Sequence, residues 1–284
     1  MKVVLNSHLI ESESAALNIQ SAAVMYGFGF FETLKIKHGE ILYFREHYER
    51  LSTTCKQFQL TLEPSADELL NQAQQLVELN QHQEGVLKIN VFKTNKAPAT
   101  LISSSPPRYS KGTYKTGFRL GIAANRVHSQ SLLSGHKSCN YMSNLLCLER
   151  ARAAGCDEAV SLNESNHLTE GCTTNLFFVR DRKLCTPAVS CGLLNGIMRQ
   201  VVLKAARACN IACEEGLYSV DELAAADELF LTNSLVEMMP VRQLVYNAGT
   251  GDQPEAENLN HCELNFAIDA MAIMRELSEC LGNT

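Results

Sequence analysis

The sequence predicts a mixed α/β protein with two domains. Its 284 residues exceed the length of one average domain. Short β-like apolar segments alternate with segments of helical periodicity along the chain. Hydrophobic residues make up 45% and charged residues 20% of the sequence. These proportions are typical of a globular protein with a sizeable core.

The first half predicts a small sheet covered by a helix. Ser65 and Glu68 form a capping box ahead of apolar residues at helical spacing, so a helix is expected to begin there. His38-Gly39 separates two apolar segments and predicts a hairpin. The expected strands cover residues 3–6, 30–37, 41–44 and 86–92.

A Ser-, Pro- and Gly-rich loop over residues 103–112 and a polar segment after residue 124 predict a boundary near residue 125. We therefore expect a small N-terminal α/β domain over residues 1–125 and a larger C-terminal α/β domain over residues 126–284. The second half again alternates strands and helices. Strands are expected at residues 118–124, 158–162 and 175–179, and helices at residues 141–154 and 197–209.

Charge and composition argue against several classes of partner. The net charge is -6 and no basic cluster stands out, which disfavours nucleic acid. The sequence has no run of about 18 uncharged apolar residues, so no membrane span is expected. The apolar run at the N-terminus is too short for a secretory signal. We therefore expect a cytoplasmic protein. The 11 cysteines form no C-x-x-C pair. We expect reduced thiols and no metal site.

Lys137 lies in Gly-His-Lys-Ser-Cys-Asn-Tyr, after a polar loop and directly before an apolar helix. A lysine amine becomes nucleophilic when desolvation or a nearby cation lowers its pKa, and it can then form a Schiff base. Read alone, the position is that of an ordinary surface lysine, because lysine is mostly exposed.

Glu170 lies in Leu-Thr-Glu-Gly-Cys-Thr-Thr-Asn, between two segments predicted as buried strands. A carboxylate there needs a partner. A protonated pyridine nitrogen is one suitable partner, because that ion pair keeps the ring an electron sink. A hydrogen-bonded turn glutamate is the alternative.

Three further segments contain candidate phosphate-binding groups. The backbone N–H groups of Ile197 and Met198 open a helix after a glycine-containing turn and could hold a phosphate. Asn233 and Ser234 follow a strand-like segment and could add side-chain donors. Arg45 follows an apolar strand and could turn inward for a bidentate contact. The alternatives are an ordinary helix start for Ile197 and Met198, a polar turn for Asn233 and Ser234, and a solvated arginine at a helix start for Arg45.

Together, these segments resemble the fold type IV pyridoxal-phosphate enzymes, from about Tyr26 to Val241. The resemblance implies the two-domain architecture of the D-amino-acid aminotransferases and pyridoxal 5'-phosphate as cofactor. It makes Lys137 the Schiff-base lysine, Glu170 the partner of the pyridine nitrogen, and Arg45 a phosphate ligand. Ile197, Met198, Asn233 and Ser234 match the rest of the phosphate cradle, and Tyr141 matches a tyrosine near the phenolic oxygen.

The segment Tyr-Gly-Phe-Gly-Phe-Phe-Glu-Thr, from Tyr26 to Thr33, is similar to a family motif that lines the substrate pocket. Tyr26 and Phe31 match its pocket positions, and Phe28 replaces the usual Asp. Without the resemblance, the aromatic residues would be ordinary core. The family also implies a homodimer.

The sequence leaves the reaction open between two classes. Gly-Val-Leu-Lys, ending at Lys88, and Gly-Ile-Met-Arg-Gln, starting at Gly196, are similar to 4-amino-4-deoxychorismate lyase, which releases pyruvate and forms 4-aminobenzoate for folate. Lys88 would then face the substrate carboxylates, unless it is an exposed strand lysine. Phe-Lys-Thr-Asn-Lys, from Phe92 to Lys96, lacks the Arg-x-His carboxylate trap of D-amino-acid aminotransferases.

The alternatives are an aminotransferase for branched-chain or D-amino acids and, less favoured, a non-catalytic pyridoxal-phosphate-binding protein. Leu-Asn-Gly-Ile, from Leu194, is also similar to D-amino-acid enzymes, and the Asn140-Tyr141 pair to branched-chain ones. Lys137 and Glu170 together argue against a non-catalytic binder, because a structural core needs neither group.

Overall fold

The computed structural model describes residues 1–247 and 261–282 and divides the chain into two compact units. The first unit comprises Met1–Tyr109 and His136–Tyr141, and the second comprises Ser110–Gly135 and Met142–Thr284. The mixed α/β fold is confirmed. Within the described residues, no helix is long and apolar enough to cross a membrane.

The first unit contains an antiparallel sheet of six described strands in the order β2-β1-β6-β5-β3-β4. The strands are β1 (Lys2–Leu5), β2 (His8–Glu11), β3 (Gly29–Lys37), β4 (Glu40–Ile41), β5 (Gly85–Phe92) and β6 (Ala99–Ser105). The helices are α1 (Ala22–Tyr26), α2 (Phe44–Gln57) and α3 (Ala66–Leu79).

Helices α2 and α3 pack on this sheet because each has an apolar stripe at helical spacing. The predicted capping box begins α3, where the Ser65 N–H donates to Glu68 Oε2 at 3.0 Å. From Phe30 onward, strand β3 alternates: Phe30, Leu34 and Ile36 are buried, whereas Phe31 and the same-face residues that follow it are half-buried. The side chain of Phe31 therefore lies on the face opposite Phe30.

The second unit contains a sheet of nine described strands in which β7 pairs in parallel with β8 and β14. The strands are β7 (Phe118–Val127), β8 (Glu158–Asn163), β9 (Leu168–Gly171), β10 (Asn175–Arg180), β11 (Lys183–Pro187), β12 (Cys213–Gly216), β13 (Glu228–Asn233), β14 (Glu237–Asn247) and β15 (His261–Asn265). The helices are α4 (Lys111–Thr116), α5 (Met142–Ala153), α6 (Ile197–Ala208), α7 (Val220–Ala224) and α8 (Ala272–Cys280).

The core of the second unit lies between this sheet and helices α6 and α8. Phe177 and Phe230 stack at 5.2 Å between ring centroids, and Val202 and Leu277 are buried in the same cluster. Because α6 and α8 pack together, Cys209 and Cys280 at their C-terminal ends form a disulfide. The expectation that all cysteines are reduced is therefore wrong for this pair.

The division into units differs from the predicted boundary near residue 125. That position falls inside β7, whose partners β8 and β14 belong to the second sheet. The segment His136–Tyr141 returns to the first unit, because it hydrogen-bonds to β3. Lys137 consequently belongs to the first unit, whereas the sequence placed it in the C-terminal domain.

Candidate active site

The backbone at Lys137 is fixed against the start of β3. The Phe31 N–H donates to the Lys137 carbonyl oxygen at 2.9 Å, and the Cys139 N–H donates to the Gly29 carbonyl oxygen at 2.8 Å. Gly29 is needed for this approach, since a Cβ there would lie 2.7 Å from the Val91 carbonyl oxygen and 3.2 Å from Cys139 Sγ. The main chain at Lys137 is thus hydrogen-bonded to β3.

Four of the predicted residues meet around the ring of Phe31. The Lys137 ammonium lies 4.5 Å and the Lys88 ammonium 5.8 Å from the centroid of this ring. The Tyr141 ring meets Phe31 edge to face, at 5.4 Å and 89°. An aromatic ring attracts cations to its face, so both amines are held near one apolar surface. The sequence had predicted these residues from three separate segments.

The surroundings of Lys88 favour its neutral form more strongly than bulk water would. Burial lowers the pKa of the Lys88 ammonium, and the positive charge of Arg108 lowers it further. Lys88 is half-buried on β5, opposite Thr33 of β3 and Ser103 of β6. An anion bound here would relieve the repulsion between the two cations.

Arg45 lies on the surface in the first turn of α2, where its side chain is 68% exposed and pairs with Asp67 at 2.9 Å. The arginine that turns inward from α2 is Arg50, which is 17% exposed. Arg50, Lys137 and Phe31 border one narrow gap that is too small to hold a water molecule. The structure therefore brings Arg50, rather than Arg45, to the surroundings of Lys137.

Arg50 is held by Glu32, which is fully buried. The guanidinium donates to both carboxylate oxygens, from Nε at 2.8 Å and from the terminal NH2 at 2.6 Å. His47 Nδ1 lies 2.7 Å from Glu32 Oε2. Burial raises the pKa of Glu32, but the charge and hydrogen bonds of Arg50, with those of His47, outweigh it and lower the pKa to about 2. The carboxylate is an ionised anchor for the arginine.

Tyr26 lies at the end of α1 and is 73% exposed. Its neighbours Val24 and Met25 are also exposed large apolar side chains. The structure does not add Tyr26 to the residues around Phe31.

In the second unit, Glu170 is the penultimate residue of β9, and each of its carboxylate oxygens accepts a hydrogen bond. The Leu194 N–H donates to Oε1 at 3.0 Å, and the Asn175 side-chain amide donates to Oε2 at 3.0 Å. The Asn175 amide also donates to the Leu194 carbonyl oxygen at 2.8 Å. Sequence reasoning missed Asn175, although its place five residues after Glu170, at the start of the next strand, is visible in the sequence.

The start of α6 is an N-terminus without a side-chain cap, because the N-cap residue is Gly196. A Cβ at Gly196 would lie 2.0 Å from the Asn175 side-chain oxygen, so only glycine fits. The side chains of Ile197 and Met198 are buried, while helix geometry leaves the first-turn N–H groups without intrahelical acceptors. Such a terminus attracts anions.

Asn233 and Ser234 lie at the end of β13. The Asn233 side-chain oxygen accepts from the N–H groups of Leu235 and Val236 at 2.8 and 2.9 Å, and its amide donates to the Thr173 carbonyl oxygen at 3.2 Å. Asn233 therefore shapes its own turn. Among the described residues, the buried hydroxyls of Thr174 and Thr232 have no hydrogen-bond partner.

A family model for class IV aminotransferases matches residues 29–244, so the chain belongs to that family. Its members use pyridoxal phosphate, so this protein is a pyridoxal-phosphate-dependent enzyme. The chain is 28% identical over 252 residues to a D-alanine aminotransferase from Bacillus licheniformis, covering 86% of this chain and 88% of the relative.

Two solved structures share the fold. The branched-chain amino acid aminotransferase of Escherichia coli has a TM-score of 0.84 at 23% identity, covering 99% of this chain and 93% of that one. A candidate 4-amino-4-deoxychorismate lyase from Legionella pneumophila has a TM-score of 0.82 at 22% identity, covering 96% and 97%. At 23% and 22% identity, these two similarities show only that the fold is shared.

Proposed function

We propose that this class IV enzyme is a 4-amino-4-deoxychorismate lyase, which releases pyruvate and forms 4-aminobenzoate. The observation that carries the proposal is the pair of amines at Phe31, with Lys137 and Lys88 at 4.5 and 5.8 Å from its ring centroid. One amine can move a proton while the second binds a carboxylate of the substrate. The substrate carries two carboxylates, which suits the added charge of Arg108 near Lys88.

The groups of the second unit suit the cofactor. The uncapped start of α6, with the N–H groups of Ile197 and Met198, suits the phosphate. The buried hydroxyls of Thr174 and Thr232 are further donors that the protein does not satisfy. Glu170 is held by two donors in an orientation that suits a pyridine N–H. Asn233 and Ser234 complete the proposed set in this unit.

In the first unit, we assign the phosphate contact to Arg50 instead of Arg45, since Arg50 is the inward-turned arginine of α2 and borders the same narrow gap as Lys137. Tyr141 stays assigned to the phenolic oxygen, and its edge-on contact also fixes the Phe31 ring. Tyr26 stays a substrate-contact candidate through its exposed ring.

Pyridoxal phosphate supplies an electron sink for the carbon that bears the substrate amino group. The Lys137 amine removes the proton from this carbon, which belongs to the substrate ring. Meanwhile, the Lys88 ammonium binds a carboxylate of the substrate. Loss of this proton and cleavage of the neighbouring carbon–oxygen bond make the ring aromatic. The three-carbon group on the far side of this bond leaves with the oxygen and gains a proton to become pyruvate. All atoms of the substrate are then found in the two products.

Aminotransferase activity is the second candidate, and the D-alanine aminotransferase relative favours it. A transaminase binds an amino acid and a keto acid in turn and needs one carboxylate anchor for both. In the loop after β5, where an Arg-x-His trap is absent, Lys93 instead lies 4.5 Å from the ring centroid of Phe28. Lys88 is then the candidate anchor.

The test is to incubate the holoenzyme with aminodeoxychorismate and, separately, with D-alanine or a branched-chain amino acid plus 2-oxoglutarate. We expect 4-aminobenzoate and pyruvate in equal amounts from the first, and slow keto-acid exchange from the second. Rapid exchange without 4-aminobenzoate would replace the lyase by the aminotransferase. No turnover in either assay would favour a non-catalytic cofactor-binding protein.

We also propose a homodimer, because a symmetric pair is the commonest oligomer and the family resemblance implies it. The exposed apolar side chains of Val24 and Met25 on α1 are candidate interface residues. Light scattering measures the mass directly, and a stable active monomer would contradict the proposal.

A further inference from the structure

Glu158, at the start of β8, is a buried carboxylate whose two oxygens accept four hydrogen bonds. It is 1% exposed. Oε1 accepts from the N–H groups of Ala159 at 3.1 Å and Cys172 at 2.9 Å. Oε2 accepts from the N–H of Thr173 at 3.1 Å and from its hydroxyl at 2.6 Å. Three of these four donors belong to one short loop.

This loop, residues 171–174, connects Glu170 to Asn175 and fits closely over Glu158. A Cβ at Gly171 would lie 2.3 Å from Thr174 Oγ1 and 3.1 Å from Glu158 Cγ, so no larger residue fits without a shift. The Gly171 N–H also donates to the Thr174 carbonyl oxygen at 2.8 Å. The shape of the loop therefore depends on Glu158.

Both ends of the loop determine where the Glu170 carboxylate points. Gly171 follows Glu170 directly, and Asn175, at the other end, donates to Glu170 Oε2 at 3.0 Å. A change in the loop would move Glu170 through the main chain and through the Asn175 amide together. Misplacement of a reacting group by about 1 Å can reduce a rate by about 10²-fold.

We propose that Glu158 is a positioning residue that sets the orientation of the Glu170 carboxylate through the loop of residues 171–174. The inference rests on the proposed function, in which Glu170 pairs with the pyridine nitrogen. Glu158 acts as an acceptor only, since all four contacts are donors to it. A glutamine in its place would point an NH2 group at two donors, so the isosteric change breaks the pattern without leaving a cavity.

Burial raises the pKa of Glu158, against the hydrogen bonds from Thr173, Ala159 and Cys172 that lower it. Keeping a carboxylate ionised at this depth is costly unless every lone pair is used. The loop provides three of the hydrogen bonds that offset this cost, and the same hydrogen bonds fix the loop on Glu158.

The experiment compares Glu158→Gln with Glu228→Gln in the holoenzyme. Glu228 is a matched control, because it is also a buried glutamate that accepts two backbone N–H bonds, from Ile273 at 2.8 Å and Met274 at 2.9 Å. We expect similar losses in Tm for both variants. Only Glu158→Gln should lower kcat, by about 10- to 100-fold, with KM little changed.

A double-mutant cycle with Glu170→Gln separates positioning from general destabilisation. If Glu158 acts through Glu170, Glu158→Gln should have little further effect on kcat in a Glu170→Gln background. Additive losses, or a wild-type kcat in Glu158→Gln while Glu170→Gln is slow, would overturn this inference and leave the proposed function intact.

Amide hydrogen exchange of the apoprotein gives a readout that does not depend on catalysis. Glu158→Gln should speed exchange at residues 170–175, and Glu228→Gln should not. A wild-type kcat in Glu170→Gln would overturn the proposed role of Glu170. Unchanged exchange in Glu158→Gln would overturn the positioning role, whatever the reaction is.

Discussion

The two units hold their candidate residues in different ways. In the first unit, the ammonium groups of Lys137 and Lys88 lie over the ring of Phe31, and a ring face attracts a cation without prescribing its direction. In the second unit, each oxygen of Glu170 accepts a directional hydrogen bond. The difference suits the proposed reaction, in which the amine changes partners during turnover and the Glu170 carboxylate keeps one orientation.

Each unit also has a fully buried glutamate, Glu32 in the first and Glu158 in the second. The cost of burying the carboxylate is offset by different partners in the two units. Glu32 pairs with Arg50 and His47, and its pKa is about 2. Glu158 meets neutral donors, and burial raises its pKa. A charged partner keeps a buried carboxylate ionised in acid, whereas neutral donors leave it easier to protonate.

The largest effect should come from Lys137→Ala. Removing the amine that is proposed to move the substrate proton should slow 4-aminobenzoate formation by at least about 10³-fold, within the range of general acid–base catalysis. Initial rates measure this. Lys93→Ala is the matched control, because its ammonium also lies 4.5 Å from a phenylalanine ring centroid, that of Phe28. Equal rates in the two variants would show that Lys137 is only another ring-bound cation.

A smaller loss should follow Lys88→Ala. Removing a charge-assisted contact of about 1.5–3 kcal/mol with the substrate carboxylate should lower kcat/KM by about 10- to 100-fold. Lys37→Ala, at the end of β3, is the control for a general change in charge. Full activity of Lys88→Ala would remove the carboxylate anchor from the proposal.

The lowered pKa of Lys88 gives the same contact a pH dependence. Because the neutral form appears at lower pH than for an ordinary lysine, substrate binding should weaken as the pH rises. Lys88→Arg keeps its charge and should extend the plateau of kcat/KM to higher pH. If kcat/KM fell at the same alkaline pH in the wild type and in Lys88→Arg, the titrating group would not be Lys88.

The last expected effect is on stability rather than on activity and concerns Glu32. A folded pKa of about 2, below the ordinary 4.5, stabilises the fold above about pH 4.5 and is lost as the pH falls through about 2. The stability advantage of the wild type over Glu32→Gln should therefore shrink in acid, by about 3 kcal/mol in all. Urea unfolding at several acid pH values measures it, and a constant difference would contradict the charge pairing.

The sequence predicted those elements whose signals are local. The capping box at Ser65 marks α3, and the alternation in β3 placed Phe31 and its neighbours in a strand. Helix α2 was considered only as the alternative environment of Arg45, because it begins after Tyr43, a left-handed residue without a side-chain cap. As a result, residues 41–44 were predicted as a strand and Arg45 was expected to turn inward, although Arg50 lies on the buried side.

The remaining differences depend on contacts between distant segments. Strand β6 ends in polar serines that the sequence assigned to a loop, but it pairs with both β1 and β5. The return of His136–Tyr141 to β3 cannot be seen from the order of residues. Asn175 and Glu158 were missed because their roles arise from one loop that folds onto them.

The most direct test of the account is to reduce the holoenzyme with borohydride, digest it and locate the cofactor by mass spectrometry. We predict a single modified peptide containing Lys137, with little modification at Lys88 or Lys93. A cofactor adduct at any other single lysine would contradict the assignment of Lys137 and, with it, the arrangement proposed around Phe31.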